Sequence, residues 1–145
     1  MADRRALAVI NGEVQEIPDG DVVVQNPRTY VFGVENPISN DDIPRFKVPR
    51  AFTVERIVAT KFGGAGSFDW ELRHSVNAND QGAGTLIHSD TGVNNETTGV
   101  VYTTPADFAA VTIPADDWVW LELPVVSTGL ARPVAMSVQM YGSEA

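Results

Sequence analysis

The sequence predicts an all-β protein: a jelly-roll-like β-sandwich of about eight strands, preceded by an N-terminal β-hairpin arm. Three observations carry this reading. Helix signals are nearly absent, because no window of about a dozen residues keeps helical apolar spacing without meeting Pro, Gly or a β-branched cluster. Short apolar stretches instead alternate with a period of two. Between them lies turn chemistry of the kind short β-connections need, such as GGAG at 63–66 and NANDQGAG at 77–84.

The clearest strand is SFDWELRHSV, residues 67–76. Phe68, Trp70, Leu72, His74 and Val76 share one face, and Asp69, Glu71, Arg73 and Ser75 share the other. In PVAMSVQMY, residues 133–141, Val134, Met136, Val138 and Met140 alternate with Ala135, Ser137, Gln139 and Tyr141. Further strands are expected near 44–48, at 52–62, 85–89, 98–103, 108–113 and 117–124, giving about eight between residues 43 and 141. Pro105-Ala106-Asp107 and Pro114-Ala115-Asp116 read as turns that launch strands, since proline presets φ and Asp bonds nearby backbone. Eight strands suit a jelly roll of two four-stranded sheets, with an immunoglobulin-like sandwich as the rival.

Ahead of this body, Asn11-Gly12 sits between ALAVI and EVQEI, a strong hairpin signal, and Asp19-Gly20 precedes DVVVQ. These strands hold too few apolar residues for a core of their own, and an isolated hairpin is marginal in water. They must pack on their own sandwich or add to a sheet edge of another chain. QNPRTY and ENPISNDDIP read as linker or edge structure. The division is residues 1–42 for arm and linker and 43–145 for the sandwich.

Size and charge narrow the function. A chain of 145 residues buries about 70% of its unfolded surface on folding and needs no staple. There is no cysteine, so disulfides, thiolate metal sites and cysteine nucleophiles are excluded. The run ALAVI is too short for a secretory signal core, and no stretch approaches the roughly 20 apolar residues of a membrane span. Residues 1–73 carry 11 acids and 9 bases, whereas residues 74–145 carry 8 acids and only Arg132, for a net charge of −9. Such an acidic half repels phosphate backbones, so neither nucleic acid nor membrane is an expected partner.

No catalytic, cofactor or metal site is expected. His74 and His88 lie on separate strands, and His74, beside Trp70 and Leu72, reads as a hydrogen-bonded core or interface histidine. Asp41-Asp42 and Asp116-Asp117 sit at proline turns where Asp bonds backbone, while Asp69 and Glu71 solvate a wet face. Asn77, Asn79, Asp80 and Gly82 echo a calcium loop but lack its first Asp and its bidentate Glu. In DWVWLEL, Val119, Leu121 and Leu123 alternate with Trp118 and Trp120, so a core-facing aliphatic set turns two indoles the other way. Such a strand is either covered on both sides or presents aromatics to a subunit or a sugar.

The Ile10-Asn11-Gly12 hairpin, Ile17-Pro18 followed by Asp19-Gly20-Asp21, and the later VTIPADDWVWLEL together resemble small structural proteins of tailed bacteriophages, of the capsid decoration or tail-fibre type. The resemblance implies a non-enzymatic virion component, made in the host cytoplasm and placed on the capsid surface as a homotrimer bound to the major capsid protein. A tail-fibre module recognising a host glycan is the alternative. The expected interface residues are Val9, Ile10, Val14, Ile17, Val22, Val23, Val24, Trp118 and Trp120; in the tail-fibre alternative, Trp118, Trp120 and the acidic loops contact the glycan.

Overall fold

The structure, a computed structural model, describes residues 7–10, 13–16, 26–78, 82–103, 107–108 and 111–145, with side chains from residue 27 onward. The arm begins as expected: β1 (Leu7–Ile10) and β2 (Glu13–Glu16) pair antiparallel, with Ile10 opposite Glu13 across a two-residue connection. Asn11-Gly12 itself lies outside the described residues, as do Asp19-Gly20 and the expected interface residues Ile17, Val22, Val23 and Val24. Val9, Ile10 and Val14 lie in β1 and β2, but their side chains are not among those described.

The sandwich begins earlier than residue 43. Asn26–Glu35 forms a ten-residue strand, β3, within the segment expected to be linker or edge structure. Its alternation of Tyr30 and Phe32, both buried, against exposed Thr29 and Val31 is what seats it as an edge. Then follow β4 (Phe46–Lys47), β5 (Phe52–Phe62), β6 (Phe68–Ser75), β7 (Thr85–Val93), β8 (Val100–Tyr102), β9 (Thr112–Ile113), β10 (Trp118–Glu122) and β11 (Ala135–Glu144). A 3-10 turn, Gly129–Ala131, precedes the last strand.

The topology is that of a ribbon folded back on itself and rolled up. The chain runs out along β3, β4, β5 and β6 and returns along β7, β8 with β9, β10 and β11. Each outgoing strand pairs its returning counterpart: β6 with β7, β5 with β8 and β9, β4 with β10, and β3 with β11. Rolling adds the pairs β11 with β5 and β10 with β6. The result is a four-stranded sheet, β4-β10-β6-β7, packed on a five-stranded sheet, β3-β11-β5-β8, with β9 also pairing β5. This double-sheet wrapping is a jelly roll, and the short β9 makes its second sheet five-stranded.

The dry faces read from the sequence meet between the sheets. Phe68, Trp70 and Leu72 from β6 and Val119 and Leu121 from β10 face Ile57 and Ala59 from β5 and Met136, Val138 and Met140 from β11. Two residues placed on those faces are not in the core: Val76 lies just past the end of β6 and is exposed, and Val134 lies just ahead of β11 and is exposed. Both sit where the strand has left the sheet, so alternation no longer governs them. Among the described residues of the expected 108–113 strand, Thr112–Ile113 is strand and Phe108 is buried outside it. The GGAG turn behaves as expected, with Gly63 at φ 70° and Gly64 at φ 75°. Lys61, although buried inside the end of β5, is held by Gly64 O at 2.7 Å, Asn94 Oδ1 at 2.9 Å and Glu96 Oε1 at 3.3 Å. A buried ammonium is tolerated only with such partners.

Candidate interaction surface

The polar groups singled out in the sequence are tied into the fold. Asp116 adopts φ 69° and launches β10, which sets Asp117 beside the end of β6. There Asp117 Oδ2 lies 2.7 Å from His74 Nδ1, both side chains being nearly buried. His74 is the hydrogen-bonded interior histidine that its face foretold. Asp117→Ala leaves that ring nitrogen buried and unpaired, a loss of about 1–3 kcal/mol. Urea unfolding at pH 7 measures it; a variant as stable as the parent would refute the role.

His88 stands elsewhere, on the edge strand β7. Its ring packs edge-on to Tyr102 at 4.4 Å between centroids, Trp70 at 5.6 Å and Phe108 at 6.0 Å, and Nε2 is buried with no hydrogen-bond partner in the described structure. Burial holds the His88 imidazole below its ordinary pKa, against the opposing pull of Asp90 and Asp107. Burial and the hydrogen bond that Tyr102 Oη donates to Asp90 Oδ2 push the phenol well above its ordinary range. A histidine with a depressed folded pKa binds fewer protons folded than unfolded. Its stabilising contribution is therefore complete above the ordinary histidine pKa of about 6.5 and is lost as pH falls below it. Melting temperatures at pH 7 and pH 5 should fall further for the wild type than for His88→Phe. Equal falls would remove His88 from the acid response.

The carboxylates are similarly engaged. Arg73 Nη2 lies 3.0 Å from Glu71 Oε2 and Arg73 Nε lies 3.5 Å from Glu122 Oε2. Glu122 Oε1 accepts hydrogen bonds from Gly82 N at 2.6 Å and Trp120 Nε1 at 3.1 Å, tethering the loop after β6. Asp69 Oδ1 accepts from Gly92 N at 2.9 Å, and Asp41 Oδ2 accepts from Ile38 N at 3.3 Å. Asp41, Glu71 and Glu122 line an open cleft of about 430 Å³. Among the described residues, no group of three His, Asp or Glu side chains is placed to hold a metal ion.

The two indoles point away from the core, yet one of them is covered. Trp120 is only 1% exposed. Arg45 lies over its ring at 5.1 Å while donating to Ala78 O at 2.5 Å, and the backbone at Gly84 approaches so closely that a Cβ there would stand 2.8 Å from Trp120 Cη2. Trp120 thus cannot serve as an interface or sugar platform in this fold. Its covering comes from loops distant in sequence, and only Trp118 remains half-buried on that side.

The surface with the marked character lies on the other sheet. The outward row Val31, Gln139, Val58 and Val101 runs across its four main strands, each residue directly opposite the next. The neighbouring row is Gly33, Ser137 and Thr60, and the one beyond is Glu35, Ala135 and Phe62. Val31 and Val101 are each 49% exposed and Phe62 is 48% exposed. From Val31 to Phe62 this face carries no charged side chain except Glu35 at its corner; Glu55 and Arg56 lie past its other end. The outer face of the four-stranded sheet carries Asp69, Glu71, Arg73 and Glu122. In a chain with 20% charged residues, that contrast sets the two outer faces apart. The signal was present in VATKF and SVQM, where neither outward set carries a charge.

No protein-family model, curated protein or solved structure matches the chain.

Proposed function

We propose that this chain is a non-catalytic assembly protein that works by adhering to other protein surfaces. The observation that carries the reading is the uncharged outer face of β3-β11-β5-β8 set against the charged outer face of its partner sheet. The engagement of His74, Asp117, Glu71 and Glu122 in internal bonds accords with it. The resemblance of the arm and of VTIPADDWVWLEL to small phage structural proteins extends the reading to a virion component. On that reading it is a decoration protein on the capsid, seated on the major capsid protein and stabilising the shell by the added interface area. With Trp120 covered, the glycan-binding alternative is left with Trp118 alone of its two indoles.

The test is co-sedimentation of the full chain with tailed-phage shells stripped of accessory proteins. Saturable binding that raises the temperature of shell rupture is expected. A chain that stays in the supernatant at tens of micromolar would overturn the virion role.

A further inference from the structure

We propose that the outer face of the β3-β11-β5-β8 sheet is the contact between two copies of this chain, packed sheet on sheet about a two-fold axis. The inference rests on the reading of that face as a protein interface and names its partner.

The face is complementary to itself. The row Val31, Gln139, Val58, Val101 forms a ridge, and the adjacent row Gly33, Ser137, Thr60 forms a trough of smaller side chains. A two-fold axis lying across the strands, between these rows, sets each copy's ridge over the other's trough. Val31 then meets Gly33, Val58 meets Thr60, and Gln139 meets Ser137. Facing sheets pack about 10 Å apart with strands crossing at about −30°, which requires small or β-branched side chains at the centre of contact.

One polar group gains by this arrangement. Ser137 is 9% exposed, and its hydroxyl is buried without a hydrogen-bond partner in the described structure. Gln139 Oε1 already accepts from Tyr141 Oη, so in the pair its amide N–H is the group to donate to Ser137 Oγ of the second copy, which a χ1 rotation of Ser137 must first turn outward.

Charge selects the same partner. Each copy carries −9, so approach through a carboxylate-bearing face is repulsive. Here nothing charged stands between the corner Glu35 and the far-end pair Glu55 and Arg56. With strands about 4.8 Å apart and a rise of about 3.3 Å per residue, the ten residues of the three rows cover about 320 Å² on each copy. The pair then buries about 640 Å², well under the about 1,000 Å² expected of a stable specific interface. The dimer should accordingly be weak and reversible, populated only toward the upper end of a micromolar concentration series.

The test is sedimentation equilibrium of the full chain from about 1 to 500 µM. The wild-type mass should climb from 15.6 kDa toward twice that value. Val31→Lys/Val101→Lys should remain at 15.6 kDa throughout, and Gln139→Lys, which loads the centre of the ridge, should weaken association at least tenfold. Ser89→Lys, on the outer face of the opposite sheet, should associate as the wild type does. Circular dichroism and melting identify any variant that fails to fold, and the other ridge variant then decides. A wild type of 15.6 kDa at every concentration, a mass converging on three copies, or a dimer indifferent to both ridge variants would overturn the inference. A dimer that ignores phage shells leaves it standing and removes the virion role; a monomer that binds shells does the reverse.

Discussion

Gly142→Ala should destabilise the sandwich by about 3 kcal/mol or more, a large part of the about 5–15 kcal/mol that holds a domain folded. A Cβ at this position would stand 2.0 Å from Thr53 O and 2.7 Å from a ring carbon of Phe52. The register between β11 and β5 shifts between Tyr141 and Gly142, and the two backbones pinch together where the bulge ends. Neither obstacle yields easily: one is a strand carbonyl and the other a fully buried ring. Gly92→Ala supplies the contrast. Gly92 has φ 65° but nothing within 4 Å of its Cβ position, so only the left-handed backbone is penalised, by about 1–2 kcal/mol. Urea midpoints of the two variants should be well separated, and coincident midpoints would mean that the pinch relaxes freely.

Trp70→Ala is expected to cost about 3–5 kcal/mol. The indole is fully buried on β6 and meets His88 and Tyr102 edge-on, at 5.6 and 5.7 Å, where the outer strands β7 and β8 close one side of the sandwich. Removing it undermines both sheets at that seam. Trp70 Nε1, however, is buried without a hydrogen-bond partner in the described structure. An unsatisfied buried donor carries a penalty of about 1–3 kcal/mol, which Trp70→Phe relieves while keeping a ring for His88 and Tyr102. Phe should therefore lose less than half of what Ala loses. If Phe and Ala prove equally damaging, the indole nitrogen has a partner that this account lacks.

What was legible in the sequence is what period and turn chemistry encode locally. The 67–76 alternation placed Phe68, Trp70, Leu72 and His74 on the inner side, and 52–62 matched β5 at both ends. Pro114 and Asp116 marked the turn ahead of β10. The edge strand β3 was obscured by Pro27 and polar neighbours, although Tyr30, Phe32 and Val34 already alternated. Trp120 shows a different boundary. The strand's two apolar faces could be read, but Arg45 and the backbone at Gly84, which cover the indole, arrive from far along the chain. The outer face of β3-β11-β5-β8 was legible only strand by strand, as in VATKF and SVQM; that its uncharged sets lie side by side needed the registers, because its residues come from four separate stretches.

The pairing of β3 with β11 sets how the sandwich responds to force. Asn26 lies opposite Glu144, so the strand that enters the sandwich begins, and the strand that leaves it ends, at the same end of one sheet. Tension applied between those two points loads the interstrand hydrogen bonds one at a time, peeling β3 from β11, because bonds in an antiparallel pair run perpendicular to the strands. Strands pulled from opposite ends would share that load across the whole ladder. This sandwich therefore withstands tension poorly when pulled between Asn26 and Glu144.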